Sequence, residues 1–221
     1  MPGRGSRFAK LPEPEDSFVI ANDQSRGVPT SPPDRVDDKH DRSVMIVQSW
    51  QRLGLRILPH GGARPLGVAI AAGLVFGIAM ALADALLFYS VIPESQTALV
   101  SRFSAIDRIG YFAPLAVADE LIFRLVVMSL LVWALVSAAG QRAWCFWGAI
   151  LGTALLVYPA LHQTYLSSLV LTPLSVLREI TLHGGAGILW GYLYWRHGLT
   201  AAIAGHVGAH LSLQPLLSLM F

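Results

Sequence analysis

The chain has 221 residues, 54% hydrophobic and 14% charged, with a formal net charge of +2 and a mean hydropathy of +0.54. Soluble domains carry about 25% charged residues, so the composition points to an integral membrane protein. The near-neutral balance, without a basic block, argues against nucleic acid as a partner. The single cysteine, Cys145, excludes an internal disulfide and a cysteine-based metal site.

Residues 1–43 hold 7 Lys/Arg, 8 Asp/Glu and 6 of the 13 prolines, the pattern of a disordered, solvated tail. They lack the order of a cleaved leader, so the first hydrophobic span is expected to direct insertion. Residues 44–64 are expected to form an interfacial amphipathic segment, with a short loop leading into the membrane as the alternative. Over 44–58, Ile46, Trp50, Leu53 and Ile57 share one helical face and Ser49, Arg52 and Arg56 another.

Residues 65–221 read as an all-α, membrane-embedded domain of about five transmembrane helices. The first span, 66–92, carries Gly73 and Gly77, a small-xxx-small pair suited to close helix packing. Asp84 is expected near its far interface, snorkelling or capped. A loop with Glu94, Arg102, Asp107 and Arg108 leads to a second span, 109–139, and a third is expected over 144–171. A loop with Pro173, Arg178 and Glu179 precedes a short glycine-rich fourth span, 181–195, with His183 near its end. The last span is 199–220. Arg52, Arg56, Arg64, Arg142 and Arg196 fall on one side, which places the N-terminus in the cytoplasm. All six tryptophans, Trp190 included, are expected in an aromatic belt on that face. Lysine-free, arginine- and alanine-rich spans suggest a bacterial plasma membrane.

Ionisable groups at membrane depth cost roughly 2.5–3.5 kcal/mol each even on the lowest insertion scales, so those inside the spans need explaining. The second span contains Asp119, Glu120 and Arg124. Glu120 and Arg124 are i and i+4 on one face. Asp119 lies about 100° away round the helix and has no local partner. His162 follows the helix-disturbing Pro159, and His206 and His210 share a face of the last span. Each histidine alone reads as a packed, hydrogen-bonded residue. Three histidines with two carboxylates on three spans indicate at least mutual satisfaction, and more sharply catalysis or metal binding.

These residues carry a resemblance. Asp119-Glu120-x-x-x-Arg124, Tyr158-x-x-x-His162 and His206-x-x-x-His210 resemble, in order, the three motifs of the CAAX-protease and bacteriocin-processing (CPBP, or abortive-infection) intramembrane peptidases. Those motifs read Glu-Glu-x-x-x-Arg, Phe-x-x-x-His and His-x-x-x-Asn/Asp. The resemblance covers about residues 105–215, including the glycine-rich GGAGILWGYLYWRHGLTAAIAGHVGAH. Asp119 stands where the family has glutamate, Tyr158 where it has phenylalanine, and His210 where it has Asn or Asp.

The resemblance implies an endopeptidase that uses activated water on a membrane-embedded, lipidated or prenylated peptide, with the lipid bilayer as its other partner. Asp119, or Glu120 in its place, would activate water together with His162. Arg124 would orient the acidic pair, and His206 and His210 would stabilise the oxyanion. A metal version would bind zinc through His162, His206 and His210, although HVGAH lacks the glutamate of H-E-x-x-H. A non-catalytic scaffold or bacteriocin-immunity protein is the alternative, in which the cluster only fixes helix packing. A small transporter with a proton relay would lack the usual inverted repeat. Helix geometry adds a constraint, since at about 1.5 Å per residue Asp119, His206 and His162 lie roughly 20, 12 and 27 Å from their inner helix ends. Straight spans with level ends would not bring them together.

Overall fold

Apolar runs punctuated by glycine and proline decide where the helices begin and end. The computed structural model describes residues 53–59 and 62–221; the tail and residues 44–52 lie outside the described residues. Helix α1 spans Arg64–Leu86, with Pro65 in its first turn. A 3₁₀ turn at Tyr89–Val91 leads to α2, Glu94–Arg102. Helix α3 is the 35-residue Ala105–Ala139, started by a Ser104–Asp107 capping box and widened to a π-helix over Glu120–Met128. Helix α4, Ala143–Leu161, is widened over Thr153–Val157. A short α5, Gln163–Leu166, precedes α6, a continuous helix over 173–197 that is widened at Ile180–Gly184. Helix α7 is Leu199–Met220. There is no strand among the described residues.

Three helices, Arg64–Leu86, Ala105–Ala139 and Ala143–Leu161, are long and apolar enough to cross a membrane. The described residues are therefore all-helical and compatible with membrane insertion.

Several boundaries differ from the sequence expectation. Residues 53–59 form a turn and extended chain rather than the end of an interfacial helix. Their backbone caps α7 instead. The carbonyl of Arg56 accepts from Leu199 N at 2.9 Å, and that of Ile57 from Thr200 N at 3.1 Å. They thus satisfy N–H groups left open at the start of α7. Gly198 permits the approach, having a φ of +93° and packing so close that a Cβ would press on the carbonyls of residues 56–58. The third helix ends at Leu161 instead of continuing to residue 171. The expected loop with Pro173, Arg178 and Glu179 is helical, because Pro173 sits in the first turn of α6, where its missing N–H is harmless, behind a Thr172–Ser175 capping box.

Helices α1 and α7 form the most extensive helix pair. A Cβ at Gly73 would strike the carbonyl of Gly205, and one at Gly77 that of Ala209. The small-residue pair read from the sequence therefore lets the two backbones touch. That contact fixes the helix bearing His206 and His210.

Candidate functional site

Glu120 lies at the start of the widened stretch of α3 and is only 1% exposed. Its Oε1 accepts from His206 Nδ1 at 2.9 Å. Its Oε2 is 3.3 Å from Arg124 Nε, an ion pair in which neither atom completes an aligned hydrogen bond. Arg124 donates instead through Nη2 to the Gly187 carbonyl of α6, at 3.1 Å. A buried carboxylate thus ties α3 to α7, and its counter-charge ties α3 to α6.

The ring of His206 stacks on Trp190 at 5.4 Å and on His210 at 5.3 Å, and His210 stacks on Phe112 at 5.2 Å. Trp190 is 2% exposed. This corrects its expected place in an interfacial belt, whereas Trp133, Trp144 and Trp147 are exposed. His162 follows the end of α4; its Nδ1 donates to the Tyr158 carbonyl at 3.0 Å. Its ring lies 4.1 Å from that of Tyr158 and 5.6 Å from that of Phe123.

Asp119 is half-buried and has no hydrogen-bond partner among the described residues, yet it lies within electrostatic reach of His206, His162, Glu120 and Arg124. The structure therefore brings all six expected residues into one region in spite of their unequal depths along the chain. At about 1.5 Å per residue, a helix as long as α3 runs to roughly 50 Å, well beyond a hydrocarbon core of about 30 Å. Its ends are not level with those of its neighbours, and the apparent conflict in depth rests on level ends. The three widened turns belong to the segments that bear or precede the site, as π-bulges often do at functional positions.

The structure does not gather His162, His206 and His210 as a preformed ligand set. Among the described residues no three His, Cys, Asp or Glu side chains are arranged to hold a metal ion. His162 is stacked on Tyr158, and the Nδ1 atoms of the three histidines face the Tyr158 carbonyl, Glu120 and Gln214, which leaves Nε2 as the nitrogen open on each ring.

A cavity of about 330 Å³ is lined by His206, His210, Trp190, Phe112, Gln214 and Arg108, among others. Asp119 and His162 are not in its wall. A largely apolar cavity of about 500 Å³, lined by side chains including Leu155, Tyr158, Leu166 and Ile180, adjoins it, and His183 contributes to both.

A second buried network stands beside the first. Asp84 is 2% exposed and takes Arg178 Nε on Oδ1 at 2.7 Å and Nη2 on Oδ2 at 2.8 Å. Gln96 bonds both partners. Arg178 Nη1 also donates to Glu179, which accepts from Tyr165 and lies 2.6 Å from His183 Nδ1. Asp84 therefore neither snorkels nor caps, and His183 lies within α6 rather than at a helix end.

Sequence reasoning misses Arg108, Phe112, Trp190 and Gln214 as parts of the site. Gln214 is within reach of pattern reasoning, being i+4 from His210. No family model matches the sequence, and no curated protein and no solved structure matches it.

Proposed function

We propose that this chain is an intramembrane peptidase that hydrolyses a peptide bond of a membrane-embedded or lipidated peptide with an activated water. One observation carries the reading: two adjacent carboxylates divide the work. Glu120 is committed to Arg124 and His206, while the adjacent, half-buried Asp119 has no hydrogen-bond partner among the described residues and lies within electrostatic reach of His206 and His162.

On this reading Asp119 takes a proton from water as the water oxygen bonds to the scissile carbonyl carbon. It then passes that proton to the amine nitrogen as the C–N bond breaks. Carboxylate and carbonyl oxygens only accept, so the Nδ1 of His206 and of His162 carries the proton. Each neutral ring is left with an Nε2 lone pair able to hold the water. His210 serves as donor to the oxyanion, a contribution of about 10²–10³-fold in other enzymes. Glu120 and Arg124 position His206 without touching substrate.

The bilayer setting is proposed to be five-span, with α6 and α7 joining the three apolar helices and the N-terminus cytoplasmic. Exposed Val68, Val75, Ile78, Leu82 and Leu86 on α1 suit a lipid-facing surface. A non-catalytic scaffold is the second reading, favoured by the absence of Asp119 and His162 from the cavity that His206 and His210 line. Cleavage of a membrane-peptide library by detergent-purified protein separates the two. Peptidase activity lost in folded Asp119→Asn and His206→Ala supports the first; no cleavage, with cellular function unchanged in both variants, supports the second.

A further inference from the structure

We infer that Arg108 and Gln214 fix the proton of His210 on Nε2 and so make that ring a hydrogen-bond donor toward the cavity it lines. Its role in chemistry rests on the peptidase reading; the proton's position does not.

Arg108 lies 2% exposed near the start of α3 and is bonded to no carboxylate among the described residues. Arg108 donates through Nε to Gln214 Oε1 at 2.8 Å and through Nη2 to the Gln214 carbonyl at 2.7 Å and Ser218 Oγ at 2.6 Å. Nη1 donates to the carbonyls of Val100 and Phe103. All five guanidinium N–H groups are thereby used, and an arginine has no acceptor. The Gln214 amide atom opposite Nε must therefore be its oxygen, and the amide cannot be turned over without setting NH₂ against N–H.

With Oε1 held by Arg108, the Gln214 NH₂ is the group that faces His210 Nδ1, at 3.4 Å. An amide NH₂ only donates, so Nδ1 must accept, and the neutral imidazole carries its proton on Nε2. His206, one turn away on the same helix, is set the other way, because the Glu120 carboxylate only accepts and requires Nδ1–H. Two stacked histidines on one face of α7 thus present opposite chemistry at Nε2: an acceptor on His206 and a donor on His210. The selector for the second is Arg108, which reaches it from α3 through Gln214. Both are positioning residues, acting through His210.

The test is ¹⁵N NMR of histidine-labelled full-length protein in detergent micelles, with His210→Asn identifying the His210 signals. The expected wild-type spectrum has His210 protonated at Nε2 and His206 at Nδ1. Gln214→Glu keeps an acceptor for Arg108 but turns an acceptor toward His210, so the proton moves to Nδ1 and cleavage of a library peptide falls about 10²-fold, as for one lost oxyanion donor. Wild-type His210 protonated at Nδ1 overturns the inference without any variant, as does an unchanged tautomer in folded Gln214→Glu. A tautomer that switches as expected in a protein cleaving no peptide upholds the relay and removes only the peptidase reading.

Discussion

Two buried polar networks lie close together in this molecule, and they differ in how fully they are bonded. Asp84 and Arg178 meet in two-point geometry, and Gln96 bonds both partners. In the Glu120–Arg124–His206 network the ion pair is single and poorly aligned, and the adjacent Asp119 has no hydrogen bond among the described residues. Closed bonding is what rigid helix packing needs. On the proposed reading, a carboxylate left open within electrostatic reach of two histidines, next to a widened helical turn, serves proton transfer.

The difference is broken first by single substitutions. Asp119→Asn is expected to lower cleavage about 10²–10⁴-fold, the usual contribution of a positioned base, with an unchanged melting temperature. Asp84→Asn should do the reverse. It leaves the buried Arg178 with Glu179 in place of a two-point partner and costs about 1–3 kcal/mol of stability, read by denaturation in detergent, while the folded fraction keeps its activity. Equal loss of stability in both would erase the distinction.

Replacing both partners sharpens it. Asp84→Leu with Arg178→Met removes the whole ion pair, and such replacements are often neutral or stabilising by about 1–4 kcal/mol, so most of the stability lost in Asp84→Asn should return. A smaller effect comes from Gly77→Ala, which forces α1 off α7 and should cost about 1–3 kcal/mol; shifting the helix that bears His206 and His210 should lower cleavage as well. Smallest are the caps. Ser104→Ala at α3 and Thr172→Ala at α6 should each cost about 1 kcal/mol with activity retained, measured by the same denaturation series.

Much of this is legible in the sequence because local rules carry it. The last helix is expected over 199–220 and observed as Leu199–Met220. The Gly73/Gly77 pair and the i,i+4 geometry of Glu120 and Arg124 follow from helical periodicity alone. What is not legible depends on partners distant in the chain. Asp84 reads as an interfacial residue until Arg178, 94 positions on, is seen to hold it. Trp190 reads as a belt residue until His206 and Phe76 are packed on its ring. Arg178 itself reads as a loop residue because Pro173 looks like a helix breaker rather than a helix start. Arg108 gives no signal at all: one arginine near the end of a span is ordinary, and its bonds to Gln214 and Ser218 exist only after α3 meets α7.

The division of labour between Asp119 and Glu120 is tested most directly by one comparison: the rate at which detergent-purified wild type, Asp119→Asn and Asp84→Asn cleave the same membrane peptide, normalised to folded protein. The account predicts a loss of at least about 10²-fold for Asp119→Asn and little change per folded molecule for Asp84→Asn. Wild-type cleavage by folded Asp119→Asn would contradict it.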